Sequence, residues 1–231
     1  MNKTKLFFNG IIILSVFILS VSIVPSSIQS NIQSENSIVL ITGFKPFDVY
    51  DVNPSELVVS QMNNTIIENM TIKGYVLPVN YTTAPQRMKQ LISTFHPELI
   101  ISLGLAGNAK KIAVEKLAVN LRINPEARFP LLTLKKINRS GPWFHQATYD
   151  SEAIVNLIKT EEIPVELSYS AGLYLCNAIL YETIHYQTIT EQMVPTGFIH
   201  LPLLKSQDTE GMSLDTMIQA VHLAIISEMK E

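Results

Sequence analysis

The chain has 231 residues, a formal net charge of -3 and only 16% charged residues. That balance leaves no basic footprint for nucleic acid, and one globular domain of roughly 190 to 200 residues is the natural expectation. A single cysteine excludes any intrachain disulfide, so the fold cannot depend on one.

The chain opens with Lys3 and Lys5, followed by an apolar run from Leu6 to Val24 broken only by Asn9, Gly10 and several serines. A positive start followed by an apolar stretch is the pattern of export. The strongest part, Ile11 to Val24, is short of the ~20 residues that span a bilayer comfortably. Residues 1–25 are therefore expected to be a signal peptide or an N-terminal membrane anchor, with no evident small-residue cleavage site to decide between them. Residues 26–36 read as a polar linker, and 37–231 as the globular domain.

Within that domain, Ser37 to Thr42 is a buried strand ending at Gly43. Pro54 to Met62 reads as a helix with proline in its first turn. Ile72 to Val79 is strand-like, and Thr83 to Phe95 has helical spacing stopped by His96-Pro97. Leu99 to Leu103 is a second buried strand. Lys111 to Leu121 alternates as one strand. Tyr149 to Glu161 is a helix, Pro164 to Tyr169 a strand and Leu173 to Tyr186 a helix. Gly197 to Leu201 is a short strand, and Ser213 to Met229 a last helix capped by Ser213. Alternating strands and helices predict a three-layer α/β/α sandwich with a mostly parallel central sheet, of the broad phosphorylase/hydrolase-like kind.

Cys176 stands at a strand-to-helix junction, in Ser170-Ala171-Gly172-Leu173-Tyr174-Leu175-Cys176-Asn177. The positive end of the helix dipole favours the thiolate, so Cys176 is a candidate nucleophile. The alternative is a small buried residue without chemistry.

A nucleophilic thiol needs a base, and five histidines are available. His185 follows Cys176 by nine positions on the same helix, which at ~100° per residue places it on the opposite face. His96 precedes a proline, His145 sits in a loop beside Trp143 and Phe144, and His222 lies in the last helix. His200 is near the carboxyl end of an apolar strand, where sites of open α/β sheets gather, although a core histidine would look the same. Glu115 lies in Ile112-Ala113-Val114-Glu115-Lys116-Leu117-Ala118-Val119, on the face of Ala113, Leu117 and Val119. A carboxylate in an apolar row needs a partner, and an imidazole would serve. An edge position or a salt bridge would satisfy it equally.

Together these segments resemble a family. Ile41-Thr42-Gly43-Phe44-Lys45-Pro46-Phe47 with Asn53-Pro54-Ser55 is similar to the opening signature of the pyrrolidone carboxyl peptidases, or pyroglutamyl peptidase I. Leu77-Pro78-Val79, Gly104-Leu105-Ala106-Gly107, the Glu115 segment with Ala118-Val119-Asn120, the Cys176 block and Gly197-Phe198-Ile199-His200-Leu201-Pro202 follow in the family's order. The resemblance covers roughly Ile38 to Leu203. It implies an α/β/α cysteine exopeptidase (an omega-peptidase) that removes N-terminal pyroglutamate from peptides through an acyl-enzyme. It also implies a Cys-His-Glu triad, here Cys176, His200 and Glu115, and an assembly that is often tetrameric.

The resemblance further assigns Phe44 and Phe47 to the two faces of the lactam ring and Arg128 to the substrate. No cofactor or metal is implied. Family members are usually cytoplasmic, so the leader is the largest departure. Others are Lys45 in place of an acid, Asp48-Val49 in place of Gly-Gly, and Asn108-Ala109 in place of Gly-Arg. An exported protein that binds pyroglutamyl peptides with little turnover is the alternative reading.

Overall fold

The computed structural model describes residues 37–229. The leader and linker expected over 1–36 lie outside the described residues. In chain order the elements are β1 (Ile38–Phe44), α1 (Pro54–Met62), β2 (Ile66–Ile67), β3 (Met70–Leu77), α2 (Thr83–Phe95), β4 (Leu99–Leu105), β5 (Ile112–Glu115) and β6 (Leu117–Val119). A 3₁₀ turn at Pro130–Thr133 precedes β7 (Phe144–Gln146), α3 (Ser151–Thr160), β8 (Val165–Ser168), α4 (Leu175–Thr190), β9 (Thr196–Leu201) and α5 (Leu214–Glu228).

Seven strands form the main sheet in the order β2-β3-β1-β4-β9-β5-β8. The pairs β1–β3, β1–β4, β4–β9 and β5–β8 are parallel, whereas β2–β3 and β5–β9 are antiparallel. Buried strands that carry apolar residues on both faces need helices on both sides. On one side, Val39, Ile41, Ile101 and Ile199 pack with Val58 and Val59 of α1, Ile154 of α3 and Met217 and Val221 of α5. On the other, Leu40, Ile100 and Phe198 pack with Met88 and Leu91 of α2 and Ile179 and Leu180 of α4. The result is the expected three-layer α/β/α sandwich with a mostly parallel sheet.

Caps follow the sequence logic. Asn53, Asp150 and Ser213 each accept a hydrogen bond from a first-turn backbone N–H of α1, α3 and α5. One expectation changes. Lys111 to Leu121 does not run as a single strand. It breaks at Lys116, so that β5 enters the main sheet while β6 pairs with β7 in a separate two-stranded ribbon. Local alternation persists across Lys116, and only the different pairing partners on either side break the strand. Helix α4 also starts two residues later than expected and runs on to Thr190. Among the described residues, no helix is long and apolar enough to cross a membrane.

Candidate active site

The carboxyl ends of β1, β4 and β9 open into a cavity of about 1010 Å³. Its walls include Phe44 and Phe47, Tyr50, Tyr81, Glu115, Cys176 and His200. Strand topology explains the meeting of Glu115 and His200. Antiparallel pairing of β5 with β9 sets Ala113 opposite His200 and Glu115 opposite Phe198. Glu115 and His200, 85 positions apart, thereby become near neighbours.

The His200 Nδ1–H donates to Glu115 Oε1 at 2.7 Å. Glu115 is 2% exposed and His200 8%. Glu115 Oε2 is buried without a hydrogen-bond partner among the described residues. A buried carboxylate so placed is costly unless its partner carries charge. With Nδ1 engaged by Glu115, the other ring nitrogen of His200 is left for the Cys176 thiol, which lines the same cavity. Burial pulls the His200 pKa down. The electrostatic interaction of the ring with Cys176, together with the hydrogen bond to Glu115 and the charge of Glu115, outweighs burial and pushes the imidazole from an ordinary 6.5 up to about 10.

Cys176 is the second residue of α4, so its backbone N–H is among those without an intrahelical acceptor. No side chain caps this helix: Tyr174 occupies the cap position without a side-chain hydrogen bond, and no acid lies in the first turn. The positive end of α4 therefore faces the cavity uncompensated. Helix α4 is anchored beside the site by Asn177, which is fully buried. Its amide donates to the carbonyls of Val119 and Leu121 at 2.9 Å each, and its oxygen accepts from the Val119 N–H at 2.8 Å. Under the thiol lies Gly104, the register partner of His200. A Cβ there would stand 2.7 Å from Phe198 Cζ and 3.0 Å from Cys176 Sγ, so the close approach of α4 to β4 requires glycine.

The first wall of the cavity is built by the Asn53-Pro54-Ser55 segment. Asn53 donates to the Lys45 carbonyl at 3.1 Å, and the Ser55 hydroxyl accepts the Phe44 N–H at 3.0 Å. Phe44 is almost wholly buried against Phe198 at 6.4 Å between centroids, and Phe47 is half-buried. Both line the cavity. Arg128 does not. Its guanidinium lies 5.2 Å from the ring of exposed Phe129, and the same loop reaches the cavity instead through Asn124, Pro125 and Glu126. The cation nearer the site is Arg122, whose guanidinium sits 4.6 Å from the ring of Tyr81. Tyr81 lines the cavity and donates to the Ile123 carbonyl at 3.1 Å; burial pushes its hydroxyl up to about 12. Tyr50, Tyr81 and Arg122 carry no sequence signal that separates them from ordinary loop aromatics and surface charges.

The remaining histidines stay away. His185 packs on the far side of α4 against His145, Nδ1 to Nε2 at 3.3 Å, as the helical spacing requires. His96 is the left-handed cap of α2, and His222 lies within α5. Among the described residues, no group of three His, Cys, Asp or Glu side chains is arranged to hold a metal.

An α/β/α sandwich in which a thiol at a helix N-terminus faces an imidazole paired with a buried carboxylate has the constellation of a cysteine peptidase. The family model for pyroglutamyl peptidase matches residues 37–231. The chain is 34% identical over 200 residues to the pyrrolidone-carboxylate peptidase of Thermococcus litoralis, covering 81% of this chain and 90% of that one. It is 36% identical over 195 residues to pyrrolidone-carboxylate peptidase 1 of Saccharolobus solfataricus, covering 81% and 92%. The solved structure of the Thermococcus litoralis enzyme superposes with a TM-score of 0.78 at 33% identity, over 84% of this chain and 94% of that one. The Pyrococcus furiosus pyrrolidone carboxyl peptidase also gives 0.78, at 28% identity, over 84% and 98%. The chain belongs to the pyroglutamyl peptidase family.

Proposed function

We propose that the chain is a thiol exopeptidase that hydrolyses the bond between an N-terminal pyroglutamyl residue and the rest of a peptide. The observation that carries this is the His200–Glu115 hydrogen bond in a cavity whose wall also includes the Cys176 thiol. In this mechanism the Cys176 sulfur attacks the pyroglutamyl carbonyl carbon, and His200 carries the thiol proton. As the tetrahedral intermediate collapses, the C–N bond breaks and His200 gives that proton to the leaving amine. Water, deprotonated by His200, then attacks the thioester; pyroglutamate leaves and the thiol is regenerated. Glu115 keeps the Nδ1–H tautomer oriented and stabilises the imidazolium. The backbone N–H of Cys176, at the uncapped start of α4, contributes to oxyanion binding. Phe44 and Phe47 hold the flat lactam ring.

The presence of Cys176, His200 and Glu115 in one cavity supports turnover over a pocket that only binds. Purified protein starting near Ser37 should release the fluorophore from a pyroglutamyl amide, and Cys176→Ser should lose that activity while remaining folded. A Cys176→Ser protein that retains near wild-type turnover would overturn the mechanism.

Two further readings belong to the whole chain. Residues 1–25 direct it out of the cytoplasm as a signal peptide or anchor, on the strength of two lysines before an apolar run. The domain assembles as a homo-oligomer, a tetramer by resemblance to the family, which sedimentation of the protein from Ser37 onward will test.

A further inference from the structure

We propose that Tyr50 is a positioning residue for the pyroglutamyl group: its ring, lodged on Gly107, latches the 45–53 rim of the cavity onto the 106–109 turn and so holds Phe47 in place. The inference rests on the hydrolytic reading and concerns the substrate side of the same site.

The rim leaves β1 and returns at α1. Its two ends are tied down, Lys45 by the Asn53 amide and Val52 by the Gln207 amide, which donates to the Val52 carbonyl at 2.9 Å. Between those ties the backbone is held by a single turn bond, from the Tyr50 N–H to the Phe47 carbonyl at 3.1 Å. That turn is not intrinsically comfortable. Asp48 sits at φ 55, in the left-handed region that a residue with a Cβ enters at a cost. Val49 at its tip is 80% exposed and contributes no packing that would offset that cost. What remains is aromatic. Phe47 and Tyr50 meet edge to face at 6.2 Å and 76°. Tyr50 in turn occupies the space above Gly107, where a Cβ would lie 2.8 Å from its Cζ and closer still to its hydroxyl. The Gly107 turn is itself closed by the Ala109 N–H donating to the Ala106 carbonyl at 2.9 Å. Contact runs from the 106–109 turn to Tyr50, then Phe47, then the cavity.

Removing the latch should loosen Phe47 before the lactam binds and leave the reacting groups untouched, because Cys176, His200 and Glu115 stand on other elements. The loss then falls on KM rather than kcat. With a pyroglutamyl amide, Tyr50→Ala should raise KM about tenfold with kcat within about twofold, and Gly107→Ala should do the same by denying Tyr50 its seat. The double variant Tyr50→Ala/Gly107→Ala should be no worse than Tyr50→Ala, since both changes break one contact. Val49→Ala should match wild type. Hydrogen exchange read by mass spectrometry should show amides of residues 46–51 exchanging faster in Tyr50→Ala and Gly107→Ala. An unchanged KM in Tyr50→Ala, a parallel loss of kcat, multiplying effects in the double variant or unaltered exchange at 46–51 would each overturn the latch. If wild type releases no fluorophore the hydrolytic reading fails, and the exchange measurement still decides the latch alone.

Discussion

His200 meets two demands that pull in opposite directions. Burial favours a neutral ring, yet Cys176 and Glu115 on its two sides favour the cation and hold its pKa at about 10. A group whose folded pKa lies above its ordinary value adds stability that is fully present below the ordinary value. That stability is lost as pH rises through the folded value. The stability difference between wild type and His200→Ala should therefore be largest below about pH 6.5 and shrink as pH climbs toward 10, read as denaturant midpoints across that range. Activity separates the two histidines flanking α4. His200→Ala should lose turnover by orders of magnitude, whereas His185→Ala, on the far face against His145, should stay close to wild type. Equal losses in two folded proteins would reject His200 as the base. Glu115 was legible because a lone carboxylate in an apolar row demands a partner. Arg128 was assigned by resemblance alone, and its guanidinium lies beside the Phe129 ring while Asn124, Pro125 and Glu126 of the same loop line the cavity.

Among the elements, α4 bears most directly on chemistry, because it carries the thiol, and Asn177 is what fastens its first turn. Three hydrogen bonds run from this one buried side chain to the backbone of Val119 and Leu121. Asn177→Ala strands a part-buried N–H and two part-buried carbonyls and should cost about 2–4 kcal/mol. It should also lower kcat beyond what the stability loss explains, because Cys176 is the adjacent residue. Urea titration beside single-substrate kinetics reads both effects, and a variant with wild-type stability would show that the clamp is dispensable. Strand and helix positions were mostly visible in the sequence, since periodicity, Pro54, Ser213 and His96-Pro97 are local signals. The break at Lys116 was not. Residues 112–119 alternate without interruption, and what divides them is the choice of partner, β9 and β8 on one side and β7 on the other. Tyr50 and Tyr81 were equally silent, for their roles depend on which turn folds over which.

For the whole molecule, the expectation to test is the leader. The family model begins at residue 37, and the core clusters described above are drawn from residues 39–229. Removing residues 1–29 should leave a soluble, folded protein with unaltered activity per molecule, while the full chain fractionates with membranes or loses its leader. Aggregation or a much lower Tm of the shortened protein would make the segment part of the fold.

The placement of β9 gives the chain a temporal property. This strand is the last to be made, yet it sits in the interior of the sheet, between β4 and β5, and carries His200. Neither neighbour can be joined to the other until residues 196–201 have left the ribosome. Every fragment ending before Thr196 therefore leaves the sheet unclosed and lacks His200, the base proposed above. Turnover becomes a clock for the final closure of the sheet: in refolding from denaturant, recovery of activity should lag behind recovery of helical signal by the time β9 takes to insert.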